Sequence, residues 1–333
     1  MTKKIGAQTI VFPSRPSVLG EASVVGSKEG KGPLSAKFDT IYDDPLIGEK
    51  SWERAESLMQ KEALRRAADK SGTAISSVDC VFAGDLLNQC IGSTFGLIDF
   101  ARPFFGLYGA CSTMAEGLLL ASMAIDGDFA AKAAAVTSSH FCSAERQYRL
   151  PLDYGGQRPP TAQWTVTGSG AVILSEDGGG VRVTHATPGI VVDAGIKDAA
   201  NMGAAMAPAA YETITAYLKD SGNLRVDTIV TGDLGAVGRQ LLEDLLKRDG
   251  VEFPPITDCG ELIFDRKKQD AHAGGSGCGC SAAVLCAHFI PMLRGGTLNS
   301  ILFCGTGALH SPVSGNQGSS IPAICHAVRL ERA

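Results

Sequence analysis

Gly109-Ala110-Cys111-Ser112 opens a largely apolar stretch that runs to Ile125, and Gly277-Cys278-Gly279-Cys280-Ser281 opens another that runs to Leu293. Each reads as a glycine-bearing turn leading into a helix that is apolar nearly all round, and such a helix belongs in the interior. Two further pairs of segments accompany them in the same order. Ala83-Gly84-Asp85-Leu86 and Thr231-Gly232-Asp233-Leu234 each follow an apolar run, and Val136–His140 corresponds to Gly305–His310. Three correspondences in register point to an internal duplication. The repeated unit is βαβ, so the chain is predicted to be an α/β protein with two parallel-rich sheets and buried helices between them. The two copies divide at 1–180 and 181–333.

Working outward, Ser51–Ala68 has helical apolar spacing with Ser51 placed as its N-cap. Short apolar runs at Thr9–Phe12, Val78–Ala83, Phe104–Tyr108, Ala131–Val136, Ala171–Leu174, Thr228–Val230, Ser300–Phe303 and Ala327–Leu330 read as strands. A helix is expected after Asn88, and further helices over Ala209–Leu218 and Arg239–Lys247. The remainder of the first fifty residues and the polar stretch His140–Pro160 are expected to be irregular.

Composition narrows the class. The chain has 333 residues, 44% apolar and 20% charged, with a net charge of −5 and no basic block, so nucleic acid is not the expected partner. Its ten cysteines lie in apolar runs of a long chain, which suits reduced thiols better than a disulfide framework. Cys278-Gly279-Cys280 has the wrong spacing for zinc, and no metal or cofactor site is expected. No apolar run is long enough to span a bilayer and no signal peptide is visible, so an intracellular protein is expected.

Cys111 is the sharpest candidate for chemistry. Unpaired N–H groups and the positive end of a helix would stabilise a thiolate there, or bind a ligand carboxylate. The alternative is a small buried thiol. His140 ends a strand, where parallel sheets open onto their crevices; otherwise it is a hydrogen-bonded loop histidine. His272 and His310 occupy comparable places in the second half. Glu145, Arg146, Arg149 and Arg158, with Tyr148 and Tyr154 among them, would suit a planar carboxylate ligand, or form a solvated loop or interface. Asp85, Asn88 and Asp233 follow strands and could bind or simply make turns. Ser112 is carried with Cys111 as a ligand contact.

These segments resemble the thiolase superfamily, which includes the ketoacyl condensing enzymes. Gly109-Ala110-Cys111-Ser112 is similar to its nucleophile turn, Thr167-Gly168-Ser169-Gly170-Ala171 to its glycine-rich strand lead-in, and Cys304-Gly305-Thr306-Gly307 to its terminal glycine loop. The resemblance implies a five-layer αβαβα fold and a homodimer formed through the first-half sheet. Within the superfamily, Asp153-Tyr154-Gly155-Gly156-Gln157, Met206-Ala207-Pro208-Ala209-Ala210 and Ala273-Gly274-Gly275-Ser276-Gly277-Cys278 resemble a branch from spore-forming bacteria. That branch implies a protein that binds pyridine-2,6-dicarboxylic (dipicolinic) acid, alone or as its calcium chelate. It would help move that ligand into the developing spore, with other proteins of the same operon, peripherally at the inner spore membrane.

The chain departs from the catalytic members. Condensing enzymes set a His, then a His or Asn, in second-half loops beside the cysteine. Here Asp233-Leu234-Gly235 occupies the first position, and Ala273–Gly277 covers the second with His272 nearby. A cysteine without its bases should be a poor acyl-transfer catalyst. The residues therefore favour ligand binding over acyl transfer, in which Cys111 would be the nucleophile with His140, His272 or His310 as base.

Overall fold

A computed structural model describes residues 3–148, 158–222 and 224–333. The first half supplies strands β1 (Ser17–Gly26), β2 (Cys80–Gly84), β3 (Phe104–Leu107), β4 (Lys132–Ser139) and β5 (Gly168–Ser175). The second supplies β6 (Val181–Thr187), β7 (Thr228–Thr231), β8 (Ile256–Asp258), β9 (Ser300–Ala308) and β10 (Ala323–Arg332). The orders are β3-β2-β4-β5-β1 and β8-β7-β9-β10-β6. In each half the first three strands are parallel and the last two join them antiparallel. The duplication is thus repeated strand by strand. The sheets meet where Arg182 of β6 pairs with Ser17 of β1.

The helices repeat as well. They are α1 (Trp52–Ser71), α2 (Ile91–Leu97), α3 (Thr113–Asp126), α4 (Phe141–Tyr148), α5 (Met202–Asp220), α6 (Gly235–Arg248) and α7 (Cys278–Val284). α7 continues through a π turn at Leu285–Phe289 to Arg294. α3 touches β2 and β4 of its own sheet and β9 and β10 of the other, while α7 lies on β4 and β5 beside it. α1 covers the outer face of the first sheet, and α5 with α6 covers the second. This is the five-layer thiolase-like arrangement. Its largest apolar cluster fills the middle layer with Met114, Leu118, Val284 and Leu285, and smaller clusters sit beneath α1 and α5.

Glycine sets the spacing between layers. A Cβ on Gly307 of β9 would lie 2.4 Å from the Gly109 carbonyl oxygen, and one on Gly279 of α7 would lie 2.3 Å from that of Gly168. Either would force backbones apart.

Several segments differ from the sequence reading. β1 lies in what was expected to be a loop. It is buried on both faces, so it shows no alternation. Its Glu21 is matched by two hydrogen bonds of 2.6 Å from Arg294. His140–Pro160 was expected to be irregular, yet Phe141–Tyr148 is a helix resting on α1. β6 and β8 were also missed. Ser51 does cap α1, accepting from Arg54 N at 3.4 Å.

Candidate functional site

β3 ends at Leu107, and the chain turns through Tyr108, Gly109 and Ala110 into α3. Ala110 adopts φ +53°, an uncommon conformation for a side-chain-bearing residue. Two hydroxyls hold the turn: Ser112 Oγ donates to Gly109 O at 2.7 Å, and Thr113 Oγ1 to Ala110 O at 2.6 Å. The turn presents Cys111, 6% exposed, to a cavity of about 270 Å³. The first half walls this cavity with Leu86, Tyr108, Ala144, Glu145 and Tyr148, and the second with Met202, Ser276, Gly277, His310 and Ser311. The site therefore lies between the two copies.

Asp233 is fully buried just past the end of β7. Its Oδ1 accepts from Thr306 Oγ1 at 2.9 Å and its Oδ2 from Gly277 N at 2.9 Å. Burial pushes the Cys111 thiol well above its ordinary value, and the charge of Asp233 and then Cys278 add to the effect, against the Gly277 N–H. Burial also lifts Asp233 to about 6. The expectation that the helix start would favour a thiolate is therefore corrected, because a dry site beside a carboxylate outweighs the helix N-terminus.

The sequence candidates are only partly brought together. Cys111 and Glu145 line the cavity. Glu145 pairs with Arg158 at 3.3 Å, and Arg158 lies over the Trp164 and Phe141 rings. Ser112 is buried in the turn it stabilises. Asp85 is buried and accepts from Leu87 N and Ser93, while Asn88 sits at the surface against Tyr108 and Gln147.

His140 does not reach the cavity. Its Nε2 meets Pro45 O at 2.8 Å and its Nδ1 accepts from Cys142 N at 3.2 Å. Burial lowers its pKa and keeps it neutral. Arg146 also turns away, pairing with Glu53 over Trp52. His272 pairs with Asp270 at 3.2 Å, also away from the cavity wall, whereas His310 lines it. Arg149 and Tyr154 lie outside the described residues.

The sequence reading did not single out Tyr108, Met202 or Ser276 as site residues. Tyr108 directly precedes the cysteine turn, which is the one local signal it carries. Tyr148 reaches the cavity because α4 is a helix: its hydroxyl donates to Leu86 O at 2.5 Å and lies 3.2 Å from that of Tyr108.

A duplicated five-layer α/β fold with a cysteine at a buried helix start defines the thiolase-like class. Solved structures agree on the fold. Xanthomonas campestris OleA with cerulenin superposes with a TM-score of 0.61 at 13% identity, covering 96% of this chain and 97% of that one. The 3-oxoacyl-(acyl carrier protein) synthase III of Xanthomonas oryzae pv. oryzae gives a TM-score of 0.61 at 13% identity, covering 97% and 100%. Within that class the chain belongs to the stage V sporulation protein AD family, whose profile matches residues 6–331. It is 45% identical to stage V sporulation protein AD of Bacillus subtilis (strain 168) over 336 aligned residues, covering 99% of this chain and 98% of the relative.

Proposed function

We propose that this sporulation-family protein binds dipicolinic acid, free or as its calcium chelate, in the Cys111 cavity and supports its uptake into the developing spore. The observation that carries the reading is the cavity wall. The Tyr148 ring faces His310 with centroids 6.0 Å apart, Tyr108 stands beside it, and the cysteine is a neutral thiol. At about 270 Å³ the space is at or below the lower end of drug-sized sites and suits one planar ring. Serine hydroxyls and the amides at the start of α3 can donate to its carboxylates, while Glu145 could take part in holding a calcium ion.

Calorimetry with dipicolinic acid, with and without calcium, on the wild type and on Tyr148→Ala tests this. Saturable binding weakened about tenfold or more by the substitution, about 1.4 kcal/mol, supports the reading. Absence of binding under both conditions overturns it.

One observation favours a second reading, acyl transfer: His310 shares the cavity with Cys111. Incubation with an acyl-CoA and intact-mass measurement separates the two, since transfer through Cys111 requires an acyl adduct. The proposal extends to a homodimer across the first-half sheet edge, where Phe104 and Phe105 of β3 and the nearby Ile98 are exposed; sedimentation as a monomer would remove that part. Partnership with other proteins of the same operon, peripherally at the inner spore membrane, completes it. No helix among the described residues is long and apolar enough to cross a membrane.

A further inference from the structure

We propose that Glu56 is a positioning residue for the cavity wall: as an uncharged acid it ties α4, which carries Tyr148, to the end of β4, and as an anion it lets α4 loosen and weakens ligand binding. This deepens the reading of the cavity as a binding site and rests on it.

The tie is built from three buried side chains: Glu56 on α1, Ser138 near the end of β4 and Ser143 on α4. Ser138 Oγ accepts from Gln60 Nε2 at 3.1 Å and gives its one hydrogen to Glu56 Oε1 at 3.0 Å. Ser143 Oγ stands 2.8 Å from Glu56 Oε2 and 3.0 Å from His140 O, again with one hydrogen to give. A carbonyl oxygen only accepts. Both contacts are therefore made together when the Oε2–H of Glu56 donates to Ser143 and Ser143 donates to His140 O. An ionised Glu56 claims that hydrogen for itself, and the tie to the turn between β4 and α4 is lost. Ala144, Glu145 and Tyr148 of α4 line the cavity, so the tie sets the position of its wall.

A second carboxyl decides where the proton resides. A Cβ on Gly92 would lie 3.2 Å from Asp85 Cγ and 3.4 Å from Glu56 Cδ, so the two carboxyls flank one glycine. Asp85 accepts from the backbone N–H groups of Leu87 and Ser93 and from the Ser93 hydroxyl. Those donors favour its charge, and like charges this close in a dry site repel, so the proton rests on Glu56. Burial and then the Asp85 charge lift Glu56 to about 8. No cation among the described residues pairs with Glu56. The elements packed on α1 bring Cys142, Glu145, Arg146 and Tyr148 on α4, with Arg146 held by Glu53. β1 brings Glu21, paired with Arg294, and β4 brings Lys132 at its far end, whereas α2 and β5 bring no titratable side chain. Cys278 of α7 lies behind the two carboxyls.

The test is hydrogen–deuterium exchange of the full-length protein without ligand, read on α4 and corrected for the intrinsic rate, at about pH 7 and about pH 9. One unit above a midpoint of about 8, about one-tenth of Glu56 keeps its proton. Protection of α4 is therefore expected to fall about tenfold in the wild type between the two pH values. Glu56→Gln keeps an N–H donor for Ser143 and an oxygen for Ser138 at either pH, so its α4 protection is expected to stay high and constant. Ser143→Ala removes the relay and covers failure of the glutamine variant to fold; its α4 protection is expected to be low at both pH values. Constant protection in the wild type overturns the proposal, as does a wild-type response in either folded variant. Calorimetry with dipicolinic acid, whose carboxylates are ionised throughout this range, is expected to show about tenfold weaker wild-type binding at about pH 9 than at about pH 7, and equal binding at both for Glu56→Gln. Wild-type binding of equal strength at the two pH values overturns the proposal. Absence of binding at both sinks the binding reading alone, and the exchange result still decides this one.

Discussion

The two copies share one strand order and put their central helix starts to different uses. In the first, the start of α3 faces a cavity that Cys111 lines. In the second, the start of α7 is sealed: Cys278 and Cys280 are fully buried, and Cys278 Sγ donates to Ser138 O at 2.9 Å. The difference lies in what the opposite copy supplies. The end of β9 runs out through Ala308 and His310 and leaves a gap above Cys111, whereas the end of β4 places Ser139 against Gly279. A helix start becomes a site only where its partner withdraws.

The largest expected effect probes the shared packing. Gly307→Val and Gly279→Val each drive a side chain into the opposite copy's backbone, and each is expected to cost more than about 3 kcal/mol, read by denaturant unfolding or by loss of soluble protein. A tolerated Gly279→Val beside an intolerant Gly307→Val would show that the packing around the two central helix starts is not equivalent. Next, Leu118→Ala in α3 and Leu285→Ala after α7 remove fully buried side chains from the middle layer. About 2–5 kcal/mol is expected for each, with the spread reporting how well each side can close on the void.

The copies should also differ in their response to pH. Burial lifts Glu56 in the first to about 8 and Asp258 in the second to about 7. For both groups the folded protein favours the proton. Their stabilising contribution is full below the ordinary carboxyl pKa and is lost as pH rises through about 7 and about 8. Unfolding free energy is therefore expected to fall between about pH 5 and about pH 8, with Glu56→Gln flattening the curve more than Asp258→Asn. Among the described residues Glu56 when charged accepts from the Ser138 and Ser143 hydroxyls, whereas Asp258 accepts from three backbone N–H groups that stabilise its charge. The smallest effect belongs to Arg146→Ala. It removes a half-exposed ion pair to Glu53 and should cost about 0–1 kcal/mol with ligand affinity unchanged.

The duplication was legible because Asp85 and Asp233, and the two glycine-bearing helix starts, repeat as short motifs. β1 was not, because a strand buried on both faces carries Gly20, Glu21 and Ser23 without alternation, and only Arg294, far along the chain, explains the glutamate. Cys111 was legible from its turn. His140 looked suitable at a strand end, but a strand end fixes a backbone position and leaves the ring free to choose Pro45. His310, two residues beyond β9, lies where the cavity opens.

The position of β10 has a consequence for synthesis. It lies between β9 and β6, so the second sheet has a vacant slot until residue 332 has cleared the ribosome. The first copy can assemble its strands during translation, yet β9, which leads to Ala308 and His310, has only β7 beside it until that moment. A nascent or prematurely terminated chain would thus present an unpaired strand edge instead of a completed cavity wall, a form suited to chaperone capture and proteolytic clearance.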